Sequence, residues 1–279
     1  MLRDNAPLTD VEFVAFDLET TGLYALSGQI VEIGAVRFRL DGARLDAFEQ
    51  LVDPQCEITE EVTRIHGITQ DMVRGKPPIA EALPRFLEFL GAPERILLAH
   101  NAEFDLSFLA LAMARLRLPY PPHPILDTLE LARRRVRGAR TFKLEDLAIH
   151  LCVADGEEHR GLSDATLLAR VFCRMLARAS SLRTVGDLFR ICRRWSFRDG
   201  DALPLDPPRG FEAVAAAIEE QRSMLIVYEG GTKGSAERRV TPRAFVLVAG
   251  RPYLCAFCHA DGIEKSYRLE RLRAFRIEE

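Results

Sequence analysis

The sequence predicts an α/β domain, a mixed sheet flanked by helices, followed by a small all-β barrel. Three observations carry this. Three early segments read as strands; after them, short apolar runs alternate with helical patterns; beyond residue 210 the chain changes to short strand-like runs between Gly-rich turns.

The first strand is the apolar run beginning at Phe13, and FVAFDLETTGL (13–23) is the stretch around which the chain is organised. Gln29–Leu40 alternates as a strand with one wet side, Asp41-Gly42 signals a hairpin, and Arg44–Val52 returns. Residues 57–74 read as short helical turns, Ile79–Leu90 as a helix and Ile96–Ala99 as a buried strand. A helix follows from Asn101, its expected N-cap, to about Leu118. Pro119–Pro124 breaks the chain before a short strand at Ile125–Leu126 and a helix from Asp127 to Arg137 that Gly138 closes. Further helices are expected at Leu144–Leu151, Leu162–Arg178, Val185–Trp195 and Phe211–Gln221, with a polar loop over 154–161. Met224–Tyr228, Phe245–Val248, Tyr253–Phe257 and Ser266–Leu269 complete the strands. The Pro/Gly/Asp-rich segment DGDALPLDPPRG (199–210) sets the boundary, giving domains over 1–180 and 211–279 and a helical connector and linker over 181–210. On this division, deletion of 211–279 is expected to leave a soluble, competent fragment.

Composition narrows the function. The chain of 279 residues is 48% hydrophobic and 28% charged, an ordinary soluble mixture with no segment long enough to span a membrane, so no membrane partner is expected. The N-terminus lacks the apolar core of a signal peptide, and six scattered cysteines suit a reducing compartment; the cytoplasm is the expected location. Residues 1–180 carry 21 basic and 27 acidic residues, a net of −6, which suits an enzyme that recruits cations to grip a polyanion.

Alternation along the first strand points Asp17 and Glu19 to the same side, and no Lys or Arg between Phe13 and Tyr24 compensates them. A strand end with solvated acids is the plain alternative to an oxygen-seeking divalent cation. Two more acids head inward-facing helical stripes, Asp105–Leu109–Ala112–Leu116 and Asp164–Leu168–Val171–Met175. Helix capping would explain either one; four acids on one strand and two helices together fit the carboxylate shell of a two-metal site. His159, five residues before Asp164, is placed to take a proton from an activated water.

These residues carry a family resemblance. FVAFDLETTGL, LLAHNAEFDLSFL (97–109) and HRGLSDATLLARVF (159–172), with IHGIT (65–69) between them, resemble the exonuclease motifs of the DEDDh family, which includes the proofreading epsilon subunit of bacterial replicative polymerases. The resemblance covers residues 11–178 and implies an RNase H-like fold and a 3′→5′ exonuclease acting by a two-metal mechanism. It implies that Asp17, Glu19, Asp105 and Asp164 bind two divalent cations, Mg²⁺ or Mn²⁺, and that His159 is the general base. Thr21, Gly22, Leu23, Glu61, His66, Asn101 and Phe104 would hold the terminal nucleotide. The implied partner is nucleic acid, DNA first with RNA as the alternative, and single-stranded ends are preferred because a frayed base must splay and stack.

Residues 211–279 resemble a WYL domain, a Sm/SH3-like barrel, through Arg238, Val240 and Pro242, through Tyr253 and Leu254, and through Arg268 and Arg271; Pro252 replaces the tryptophan that names the family. The resemblance implies a nucleotide or single-stranded ligand held by Arg238, Tyr253, His259, Arg268 and Arg271. The plain alternative is a barrel whose arginines pair with its own acids, and for the chain as a whole the alternative is a ligand-sensing regulator that uses the nuclease fold as a platform. Cys255, Cys258 and His259 form a CxxCH pattern, but positions 255 and 258 of one strand face opposite ways, which argues against a metal site. QRSMLI (221–226) faintly echoes a clamp-binding peptide but is needed as a buried strand, so no clamp or polymerase association is expected. The run RRRVRGARTFK (133–143) reads either as a phosphate-tracking stripe near the active-site mouth or as cations complementing a helix end.

Overall fold

A computed structural model describes residues 2–155, 159–230 and 237–278. The first sheet comprises β1 (Phe13–Thr20), β2 (Ile30–Phe38), β3 (Arg44–Leu51), β4 (Ile96–Ala99) and β5 (Ile125–Asp127), in the order β3-β2-β1-β4-β5. β1 runs antiparallel to β2 and parallel to β4, so the sheet is mixed. The wet side expected of β2 is absent. Its residues are buried on both faces, Glu32 included, and the solvated strand is the edge strand β3.

Helices cover both faces. After α1 (Glu60–His66) and α2 (Gln70–Val73), α3 (Ile79–Leu90) and α4 (Ala102–Arg115) close one side over Val14, Phe16 and Leu97. On the other side α5 (Thr128–Arg135), α6 (Leu144–His150), α7 (Gly161–Ala177) and α8 (Val185–Ile191) pack on Phe13, Ala15 and Leu98. Because β4 is parallel to β1 and α4 follows β4, the first turn of α4 arrives at the C-terminal end of β1. The first turn of α7 reaches the same end from the opposite face, where Gly161 lies against Gly34 and the carbonyl of Asp17.

Residues 181–210, read above as a connector, are not a slack tether. The helix expected over Val185–Trp195 stops at Ile191, and Trp195 exchanges backbone hydrogen bonds of 2.9 Å in both directions with Ile125 at the edge of the first sheet. Phe197 is fully buried in the core beneath α4, and a Cβ on Gly200 would fall 2.1 Å from the Leu106 carbonyl. The boundary segment itself contains a strand, β6 (Ala202–Pro204), which pairs with the second sheet.

After α9 (Glu212–Glu219), the second sheet comprises β7 (Met224–Tyr228), β8 (Glu237–Val248), β9 (Arg251–Cys258), β10 (Ile263–Arg268) and β11 (Leu272–Ile277), ordered β10-β9-β8-β7-β11. The predicted barrel becomes an open antiparallel ladder, since no pairing among the described residues joins β10 to β11. Phe245–Val248 is the end of a longer strand, and β11 has no counterpart in the sequence reading. Met224 and Ile226 are buried, as the reading of QRSMLI required. The two sheets meet through α4: Ala110, Leu111 and Ala114 pack against Ala202, Ala244, Val246, Tyr253 and Cys255. Arg115 donates to Cys255 Sγ (3.3 Å) and Ser266 Oγ (3.1 Å), and the Tyr120 hydroxyl donates to the Ala202 carbonyl (2.6 Å). No helix among the described residues is long and apolar enough to cross a membrane.

Candidate active site

The site forms where β1 ends. Asp17 pairs with Gly34 across β1–β2, and Glu19 with Glu32. Directly opposed residues share a face, so Asp17, Glu19, Glu32 and Gly34 all point toward α7. A Cβ on Gly34 would lie 1.9 Å from the carbonyl carbon of Gly161, so only glycine lets the helix settle onto the strand. Glu32, fully buried, accepts from the Gly161 N–H (2.8 Å) and from two nitrogens of Arg160 (3.1 and 2.6 Å). This forked, charge-assisted contact anchors the loop-to-helix transition that carries His159 and Asp164.

The consequence is convergence. Asp17, Glu19 and Asp164 each offer a carboxylate oxygen within 4.8 Å of the other two. At that spacing and an effective dielectric near 20, two unit charges repel by on the order of 3 kcal/mol, a cost that a divalent cation removes. Asp164 also accepts from the backbone N–H of Arg160 (3.0 Å), so the capping role weighed for it is real and coexists with the site. Arg160 lends positive field to Glu19, Glu32 and Glu49.

Asp105 arrives from the other layer. Its carboxylate lies beside the Leu18 N–H, between the two strand acids, and it is buried, with Oδ1 lacking any hydrogen-bond partner. Burial, opposed by hydrogen bonds and aided by Asp127, pushes its carboxyl up to about 8. A buried acceptor with nothing to accept from, beside three clustered carboxylates, fits a hard cation bound by oxygens.

The expected nucleotide-holding residues surround this point in different ways. Thr21 is tied to Gln29 by a backbone bond and by its hydroxyl, which accepts from the Gln29 N–H (2.9 Å), while Thr20 donates to the Gly22 carbonyl (2.8 Å). That turn leaves open space above Gly22 and Leu23 76% exposed. Asn101 stands before α4, but its side chain makes no cap bond; it adopts φ 68°, donates its N–H to Asp127 and keeps its amide exposed. Phe104 is half-buried against Phe108. Glu61 is exposed on the first turn of α1, whereas His66 at its end is buried; His66 Nδ1 accepts from the Ile68 N–H (2.9 Å), and burial lowers its pKa. His66 lies next to Thr20, the last residue of β1. His159 is exposed, with φ 53°, one residue before Arg160; the preceding Gly156–Glu158 lie outside the described residues. His100 bonds Thr128 (3.0 Å) and donates through Nε2 to the Phe142 carbonyl (2.8 Å), a structural clasp.

Of the five residues that the second resemblance assigned to a ligand, two, Tyr253 and Arg268, stand directly opposite each other on β9 and β10. Arg238 is buried on β8, Arg268 donates to the Tyr253 hydroxyl (3.2 Å), His259 shares a hydrogen bond with Thr241 (2.8 Å), and Arg271 lies by Gly230. Cys255 Sγ accepts from Arg115, and Cys258 donates to Asp261.

Comparison with known proteins decides the family. The exonuclease family matches residues 14–172, more than half of the chain, and the WYL domain matches residues 209–277. The chain belongs to the exonuclease family. Both resemblances drawn from the motifs are borne out. The DNA polymerase III subunit epsilon of Aquifex aeolicus is 34% identical over 192 residues, covering 69% of this chain and 93% of that protein. A PolC-type DNA polymerase III of Caldanaerobacter subterraneus is 40% identical over 171 residues, but this exonuclease-family chain spans only 12% of its length. Among solved structures, E. coli exonuclease I in complex with a dA16 oligonucleotide shares the fold, with a TM-score of 0.57 at 17% identity over 84% of this chain and 52% of that one. The nuclease domain of 3′hExo bound to rAMP gives a TM-score of 0.53 at 23% identity over 62% of this chain and 95% of that one.

Proposed function

We propose that the protein is a metal-dependent 3′→5′ exonuclease that releases nucleoside monophosphates from the 3′ end of DNA, single strands before duplex. The observation that carries this reading is the approach of Asp17, Glu19 and Asp164 within 4.8 Å, with the orphaned Oδ1 of Asp105 beside the same strand end. These four carboxylates would hold two divalent cations, Mg²⁺ or Mn²⁺, which when bound supply charge neutralisation at the phosphate and acidify water. His159, exposed at the entry to α7, accepts the proton of the attacking water. The open space over Gly22 admits the terminal sugar-phosphate backbone, and Leu23 and Phe104 offer apolar surfaces against the terminal base. DNA is favoured over RNA because the relatives bear the names of DNA polymerase III proteins. The division at 181–210 is retained as two functional units, the second a nucleic-acid- or nucleotide-binding module packed on the first through α4.

A digestion panel tests the reading. End-labelled single-stranded DNA should shorten from its 3′ end with Mg²⁺ or Mn²⁺, faster than duplex DNA or RNA, and not in EDTA. Asp17→Ala should lower the rate by about a thousandfold, the scale of several kcal/mol of lost charge stabilisation. His159→Ala should lower it by roughly a hundredfold and flatten the pH profile. Unchanged turnover by Asp17→Ala sinks the metal scheme.

A further inference from the structure

α5, α6 and α7 all end around one depression of about 300 Å³, lined by Arg134, Arg135, Arg137, Arg178 and His150. Part of the basic run singled out in the sequence thus turns away from the mouth of the site and meets an arginine from α7's C-terminus. Cations are favoured at helix C-termini, so the plain explanation is dipole compensation. Three helix ends carry roughly −1.5 in all. Arg134 is held by Glu130 at 2.8 Å, and no acidic side chain lines the hollow among the described residues. Three guanidiniums remain, a surplus of roughly one to two positive charges. That surplus sits in a concavity within a domain of net charge −6, and guanidinium forks match phosphate oxygens.

The hollow also lies along a path from the acids. Arg133 is close enough to His100 to act on its imidazole, and His100 clasps Phe142 at the end of β4, directly before Asn101. From Asp164 to Met175, which borders the hollow, α7 climbs about 16 Å. At the ~3.4 Å rise of a stacked strand the straight distance alone takes about five nucleotides, and a strand following the surface takes more.

We propose that the hollow of Arg135, Arg137 and Arg178 is a phosphate-binding subsite for the substrate strand, upstream of its 3′ end; it rests on the exonuclease reading above. The test is binding, measured in EDTA by fluorescence anisotropy on the full chain. Arg135 and Arg178 are both exposed, so the double variant Arg135→Ala/Arg178→Ala should keep the wild-type melting temperature. For a labelled single-stranded 12-mer its Kd should rise about tenfold at 0.1 M salt, and the slope of log Kd against log salt should fall by about 1.4. A dinucleotide, too short to reach the hollow, should bind both proteins equally. An unchanged 12-mer affinity, or an equal loss on the dinucleotide, overturns the proposal. So does a thermal shift by inorganic phosphate that the variant loses without any effect of oligonucleotide length, which would make the hollow a site for free anions. Because no hydrolysis is read, a failure of the catalytic reading and a failure of this one remain distinguishable.

Discussion

The two sheets treat their charges in opposite ways. In the first, four acids from one strand and two helices on opposite faces are brought to one strand end, where three share a 4.8 Å neighbourhood and the fourth keeps a buried oxygen without a partner. In the second, cations find acids of their own sheet: Arg243 with Glu264, Arg239 with Glu278, Lys265 with Asp261. Such exposed pairs contribute at most about 1 kcal/mol each, yet they occupy the side chains. Short carboxylates on rigid elements go where register and helix phase send them. Long side chains such as those of Arg239 and Arg243 reach the nearest acid. The difference teaches that the clustered acids leave negative charge for a cation to compensate, whereas these pairs in the second sheet are already closed.

The contact of α7 with β2 is the sharpest place to break that contrast. Gly34→Ala puts a methyl group 1.9 Å from the Gly161 backbone, which has no flexible end to yield. α7 must lift, taking Asp164 from Asp17 and Glu19. Misplacement by about 1 Å is enough for a hundredfold loss of activity, and overpacking costs about 3 kcal/mol. Initial rates on labelled oligonucleotides and a melting curve measure both. Wild-type values for the two would show that the helix is not seated by this glycine.

A smaller effect is expected from removing the second sheet. Deletion of 211–279 was expected from the sequence to leave a soluble fragment, but Ala110, Leu111 and Ala114 share a core with β8 and β9, and β6 pairs with β8. Stripping that cover exposes about 3–4 kcal/mol of apolar burial. Residues 1–210 should melt about 10 °C lower than the full chain and bind hydrophobic dyes, while the acids, away from this face of α4, stay in place. A fragment with the full-length melting temperature would mean that the two sheets are energetically independent.

Much of the first domain was legible because its signals are periodic. Alternation put Asp17 and Glu19 on one face, and helical spacing marked Asp105 and Asp164 as acids heading buried stripes. Glu32 and Gly34 were missed, since their role appears only when β2 is laid beside β1. The signal was present: E-x-G in an antiparallel neighbour in phase with D-x-E. β6 and the Trp195 bridge were hidden for another reason, being too short to show any period. In β11, Arg273 and Arg276 interrupt the apolar positions, which masked the strand. α4 is buried on nearly every side, so its second interface left no polar face to contrast with the first.

The connector offers the gentlest test, through pH. Asp187 closes a capping box at the start of α8, accepting from the N–H groups of Arg183 (3.1 Å) and Thr184 (2.9 Å). Those backbone donors, with the Thr184 hydroxyl and Arg190 adding to them, hold its carboxyl down to about 2, below the ordinary 3.8. A carboxyl whose pKa is depressed by folding adds stability that is complete above the unfolded value and is lost as pH falls toward the folded one. Asp187→Ala should therefore lower the melting temperature by a constant amount from pH 7 down to about 4, and the gap should narrow between pH 4 and pH 2 as the wild type loses its advantage. A gap that persists unchanged at pH 3 would mean that the cap acts through packing of α8 and not through the charge of Asp187. A gap absent at pH 7 would mean that the connector is held by Trp195 and Phe197 alone, and that the bond between the two sheets does not depend on how α8 begins.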